Sequence, residues 1–147
     1  MKKILFICHG NICRSPMAEI VMRQMIKEQN AAIEVSSAAT SAEELGNGLY
    51  PPVRKILTEK GIPFGEHKAR QMTKADYDAY DYLIYMDDWN RRNLFRIIKS
   101  DPENKCRELL SFCGGGEVAD PWYSGDFETT YREIEKGCRA LLRFLTE

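Results

Sequence analysis

The chain has no long apolar run, no strong charge of either sign and no tract of low complexity. Each absence removes a class of function. No stretch approaches the roughly 20 apolar residues needed to span a bilayer. The first apolar run, Ile4-Leu5-Phe6-Ile7, ends at Cys8-His9-Gly10, too early for a secretory signal. With 21 basic and 22 acidic side chains the formal net charge is −1, so no global field draws in nucleic acid or an acidic membrane. An anionic substrate has to be captured by a local positive site. Only 2 histidines are present and no His/Cys/Asp/Glu cluster has metal-ligand spacing, so neither metal nor cofactor is expected. The 5 cysteines, an odd number, read as free thiols of a reducing cytoplasm. No repeat or linker divides the 147 residues, and one domain spanning 1–147 is expected.

What is present alternates between strand-like and helix-like segments, the pattern of an α/β fold with a mainly parallel sheet. Strands are expected at Lys3–Cys8, Ile33–Ala38 and Tyr82–Met86, with a weaker one at Cys106–Leu110. Ala18, Val21, Met22 and Met25 recur at helical spacing from Pro16 to about Gln29. Val53, Ile56 and Leu57 line a short helix stopped by Gly61. Thr73 to Asp76 reads as a capping-box variant, and Asp87 or Asp88 caps a helix carrying Trp89, Leu94, Ile97 and Ile98. The last helix is the clearest, with Phe127, Tyr131, Ile134, Cys138, Leu141, Leu142 and Leu145 on one stripe.

The chemistry is concentrated in Cys8-His9-Gly10-Asn11-Ile12-Cys13-Arg14-Ser15-Pro16. A buried strand enters this stretch, and Ser15-Pro16 reads as the N-cap and first position of a helix. The peptide between is a tight loop whose free N–H groups converge on an anion. Gly10 permits positive φ or close backbone approach, and Asn11 tolerates a left-handed conformation. A free cysteine, with a pKa of about 8.5, is mostly protonated at neutral pH. The loop amides, the helix dipole and Arg14 all favour the thiolate, while Arg14 offers a planar fork to phosphate oxygens. The Ser15 hydroxyl is close enough in sequence to steady the sulfur as a leaving group. This is equipment for moving a phosphoryl group onto sulfur.

The same stretch, followed by Met17-Ala18-Glu19, resembles the low-molecular-weight protein tyrosine phosphatase family. The similarity continues through Ser36 to Thr40, His67 with Ala69-Arg70-Gln71, Met86-Asp87, and Asp120-Pro121-Trp122-Tyr123 into the last helix. The resemblance implies a three-layer sandwich, a central four-stranded parallel sheet flanked by helices on both faces. It implies Cys8 as nucleophile, Arg14 as phosphate ligand and Asp120 as general acid, then base. Asp101-Pro102 is a second Asp-Pro pair and warns that the dipeptide alone is a common turn. Trp122 and Tyr123 are implied as a wall against the substrate ring. Asn11, Ser15, Glu19, Ser37 and His67 are implied as loop supports, and Asp87 either as a neighbour of the loop or simply as a helix cap. Cys13 is implied as a redox partner of Cys8. Substrates would be phosphotyrosine proteins, opposed by a cognate tyrosine kinase.

Two departures bear on specificity. His9 occupies a loop position expected to be apolar or small, and Glu43 stands where some relatives carry an aromatic wall residue, which leaves Tyr50 as another source of that wall. Four other readings compete. A phosphocysteine carrier of a sugar phosphotransferase system has no use for Arg14 and Asp120. A thioredoxin-coupled arsenate reductase needs two further redox cysteines, for which only Cys106 and Cys113 are spaced suggestively. Some relatives acting on phosphoarginine carry threonine where Ile12 stands here. A non-catalytic phosphotyrosine-binding module would not need an intact nucleophile, arginine and acid.

Overall fold

A computed structural model describes residues 1–147. Its four strands are β1 (Lys2–Cys8), β2 (Ile33–Ala39), β3 (Tyr82–Tyr85) and β4 (Cys106–Glu108). They form one parallel sheet in the order β2-β1-β3-β4. The helices are α1 (Arg14–Gln29), α2 (Pro51–Glu59), α3 (Ala75–Ala79), α4 (Asp88–Ile98), α5 (Pro121–Ser124) and α6 (Phe127–Thr146), with a 3-10 turn over Leu109–Cys113. The parallel α/β fold expected from the alternation, and the sandwich that the resemblance implies, are both observed.

Strand β1 lies between β2 and β3, and its side chains alternate between the two faces, as the two-residue period of a strand requires. Ile4 and Phe6 join a core built with α1, α2 and α6, whereas Leu5 and Ile7 join a smaller one with Tyr77, Leu94 and Ile98 of α3 and α4. Both faces are covered, so β1 reads as a continuous apolar run. No helix is long and apolar enough to cross a membrane.

Three local expectations are corrected. Helix α1 begins at Arg14, so Ser15 lies inside its first turn and does not cap it. The Thr73 hydroxyl does not cap α3; instead Asp76 Oδ2 reaches back to accept the Thr73 N–H at 2.8 Å. The fourth strand ends at Glu108 and passes into the 3-10 turn. That turn presses on α6 so closely that a Cβ on Gly137 would lie 2.5 Å from Leu109 Cγ.

Chain reversal places the site. From β1 the chain crosses through α1 to β2 on one side, then returns to β3 on the other. The carboxyl ends of β1 and β3 flank this switch in direction, where a crevice opens in sheets of this kind. Cys8 ends β1, and Met86-Asp87 follow β3.

Candidate active site

A cleft of about 350 Å³ lies over the carboxyl end of β1. Cys8, His9, Gly10, Ile12, Cys13 and Arg14 line it from the loop, Asp120, Trp122 and Tyr123 from the segment around α5, and Glu43, Glu44 and Trp89 from elsewhere.

Asn11 is the keystone of the loop. It has no solvent exposure and adopts the left-handed backbone, φ 59°. Its Nδ2 donates to Ser15 Oγ at 2.8 Å and to Ser37 Oγ at 2.9 Å, while its Oδ1 accepts the Arg70 N–H at 3.1 Å. Its carbonyl accepts from His67 Nε2 at 2.7 Å. Ser37 Oγ in turn donates to Glu19, which is also paired with Arg23. A buried polar side chain satisfied at every atom fixes one backbone path, because breaking any bond leaves an uncompensated group. Gly10 does not use positive φ. A Cβ there would lie 3.2 Å from Glu44 Cγ, so close approach is what the glycine permits.

This path leaves the N–H groups of Gly10, Asn11, Ile12 and Cys13 without a protein acceptor at the N-terminus of α1. Cys8 Sγ is 3.0 Å from Ser15 Oγ and accepts the Ser15 N–H at 3.4 Å. The sulfur therefore sits against the first turn of α1, within reach of one backbone donor and one hydroxyl. Cys13 differs. Burial first, then Cys8 and Asp120, push its thiol up to about 12 against the pull of Arg14, so it stays protonated.

Arg14 is 3% exposed yet its guanidinium is fully employed on one side. Nη1 donates to Asp87 Oδ2 at 2.7 Å and to the Val118 carbonyl at 2.9 Å. Burial opposes its charge, but Cys8, Asp87 and Asp120 together raise its pKa further. The Nε–Nη2 edge is what remains for a bidentate ligand, with only a 3.4 Å contact from Nη2 to Asp120 Oδ2. Asp87 performs both roles left open by the sequence: Oδ1 caps α4 by accepting the Asn90 N–H at 2.8 Å, and Oδ2 holds Arg14.

Asp120 caps the short α5 through the Trp122 N–H at 3.1 Å. The segment is tied to α6 by Thr130 Oγ1 donating to the Ala119 carbonyl at 2.9 Å and by the Ala119 N–H donating to Glu133 at 2.9 Å. Trp122 and Tyr123 stand 55% and 86% exposed beside the cleft. Tyr50 does not line it. Its ring packs 5.0 Å from Trp122 and 6.0 Å from Phe127, bracing the wall from behind. Glu43 does line it and accepts from or pairs with His9 Nε2 at 3.0 Å.

The expected residues therefore assemble, from stretches distant in sequence. Missed were Arg70 and the Val118 carbonyl, whose roles are made by backbone atoms without a sequence signal. Helical spacing groups Trp89 with Leu94, Ile97 and Ile98, but it is 53% exposed and lines the cleft. Cys106 and Cys113 do not line it. No group of three or more His, Cys, Asp or Glu side chains is placed to hold a metal ion.

Comparison with known proteins agrees with this geometry. The family model of low molecular weight phosphotyrosine protein phosphatase matches residues 3–147. A human low molecular weight phosphotyrosine protein phosphatase is 40% identical over 96% of this chain and 94% of its own. The crystal structure of YfkJ from Bacillus subtilis superimposes with a TM-score of 0.95 at 34% identity, covering 99% of this chain and 95% of that one. A Drosophila arginine phosphatase has a TM-score of 0.88 at 26% identity, covering 100% and 99%, so the shared fold does not choose between phosphorylated side chains. With a loop that presents sulfur, free amides and an arginine edge to one cleft, and with matches over nearly its full length, the chain belongs to the low molecular weight phosphotyrosine protein phosphatase family.

Proposed function

We propose that the protein hydrolyses phosphotyrosine in protein substrates, and small aryl phosphates, by two-step covalent catalysis at Cys8. One observation carries the reading: Cys8, Arg14 and Asp120, from three separate stretches of chain, line a single cleft floored by amides with no protein acceptor.

In the first step the phosphate enters the loop, its oxygens accepting from the amides and from the Nε–Nη2 edge of Arg14. Cys8 Sγ attacks phosphorus in line with the phenolic oxygen. The S–P bond forms as the P–O bond breaks, and Asp120, entering protonated, donates its proton to the leaving phenolate. In the second step Asp120, now a carboxylate, takes a proton from water as that water attacks phosphorus. Inorganic phosphate leaves and the Cys8 thiolate returns, steadied by Ser15. Asp87 keeps Arg14 aimed throughout, while Glu19, Ser37 and His67 hold the loop through Asn11. Trp122 and Tyr123 flank the ring.

Ile12 favours an aryl substrate over phosphoarginine, since its branched apolar side chain lines the cleft where a ring would pack. The same site supports a protective role for Cys13. A peroxide would oxidise Cys8 to the sulfenic acid, which condenses with the Cys13 thiol to form a disulfide and release water.

The test is Cys8→Ser. Turnover of an aryl phosphate should fall by about 10⁴-fold or more with thermal stability retained. Retained turnover would move the nucleophile elsewhere. Comparison of phosphotyrosine, phosphoserine and phosphoarginine peptides on the wild type assigns the substrate class.

A further inference from the structure

Trp89 is an aromatic side chain that the chemistry above does not use. It lies in the first turn of α4, just past the Asp87 that holds Arg14. This end of the helix is fixed without it. Asp87 caps it, the Met86 N–H donates to the fully buried Asn90 Oδ1 at 3.1 Å, and Asp88 receives Arg91 and Arg92, each at 2.8 Å. The indole makes no aromatic contact within the protein, in contrast to Trp122, which is braced by Tyr50. A large π surface thus stands at the cleft on a fixed helix end with half its area in water, a setting suited to an aromatic anchor of recognition.

The charges around that mouth are one-sided. Among the lining residues, Glu43 and Glu44 are carboxylates toward solvent, and the only permanent cation, Arg14, is buried at the floor. Glu43 is positioned by His9, and Glu44 by the Asn47 amide at 2.6 Å. A phosphotyrosine ring reaching the loop leaves its own backbone at the mouth, so the residues before and after it meet these groups. An indole face and two carboxylates lining the same cleft attract a cation and repel an anion.

We propose that Trp89, together with Glu43, determines specificity by reading the side chain next to the phosphotyrosine and selecting lysine or arginine there. The inference rests on the phosphotyrosine reading above. The experiment measures kcat/KM on three phosphotyrosine peptides that differ only in arginine, alanine or glutamate flanking the modified tyrosine, with a small aryl phosphate as a fourth substrate. Wild type should prefer the arginine peptide to the alanine one by about 5-fold, with glutamate worst. Trp89→Ala should bring the arginine-to-alanine ratio close to one while the small aryl phosphate changes by less than about 2-fold. Trp89→Phe, which keeps an aromatic ring but has a weaker π face, should lower the ratio in the same direction. Glu43→Gln should lower the arginine-to-glutamate ratio by about 2-fold to 3-fold, an effect that fades at high salt. Equal ratios in wild type, or an equal loss on all four substrates in Trp89→Ala, would overturn the assignment. Those outcomes leave the phosphatase reading intact. Wild-type protein that hydrolyses none of the four would remove both.

Discussion

The chain contains the same dipeptide twice, and the two copies do different things. Asp101 of Asp101-Pro102 is saturated: the Tyr77 hydroxyl donates at 2.6 Å and the Lys105 and Cys106 N–H groups at 2.8 and 3.0 Å. Its carboxylate ties α3 to the start of β4 and has nothing to spare. Asp120 of Asp120-Pro121 holds one backbone N–H at 3.1 Å and touches Arg14 at a loose 3.4 Å, beside open solvent in the cleft. A carboxylate committed to several fixed donors stabilises a fold. One that is underused, positioned by a single cap and open to a ligand can carry a proton. The aspartate and its proline are common to both, so the surroundings decide the role.

The comparison breaks most sharply at Asp120. Asp120→Asn preserves the cap but has no proton to give. Measured as kcat/KM, which reports the first step, substrates with basic leaving groups should lose about 10²–10⁴ and acidic phenols much less, and denaturation midpoints should not move. An equal loss across leaving groups would refute the acid role.

Arg14→Lys tests the partner shared by the two sides of the cleft. A lysine reaches the phosphate as a point charge but cannot hold Asp87, the Val118 carbonyl and two phosphate oxygens together. Turnover should drop by about 10²–10³, again with the fold retained. A loss below 10-fold would show that the bidentate edge is dispensable.

Asp101→Asn should do the reverse, leaving turnover within about 2-fold and costing about 1–3 kcal/mol of stability by urea denaturation. Its pH dependence has a defined sign. Burial opposes ionisation, but the Tyr77 hydroxyl and the Cys106 and Lys105 N–H groups outweigh it and hold the folded carboxyl below the usual range. The wild-type advantage should therefore be full above the unfolded carboxylate pKa of about 3.9 and disappear as pH falls through the lower folded value. An advantage that grew on acidification would contradict this.

Trp122→Ala should have the smallest effect. Removing a half-exposed wall ring should raise KM for aryl phosphates by about 3-fold to 10-fold through lost stacking, with kcat little changed. A kcat defect alone would mean that the ring positions Asp120 instead.

How much of this was legible in sequence follows the same division. The loop and the strands that deliver it were readable because their signals are local: an apolar run, a glycine, an asparagine able to turn left-handed, a proline. α6 was readable from its stripe, and Tyr131, Ile134, Cys138, Leu141 and Leu142 are buried as that stripe requires. The end of β4 was not, because the 3-10 turn is imposed by tertiary contact at Gly137, far along the chain. The start of α1 was misplaced because Ser15 turns its hydroxyl and N–H to Cys8, a ligand that no capping rule anticipates. Trp89 was misassigned because helical spacing reports which residues share a face, not whether that face meets a core or a cleft. Arg70 and Val118 contribute through backbone atoms, which any residue supplies.

The central claim is that phosphorus passes through sulfur. Rapid-quench mass spectrometry of the wild-type enzyme turning over an aryl phosphate tests it most directly. A phosphate adduct on Cys8, formed before phosphate release and accumulating in Asp120→Asn when the leaving group is an acidic phenol, is the predicted result. Steady turnover with no adduct on Cys8, or with the adduct on another residue, would contradict it.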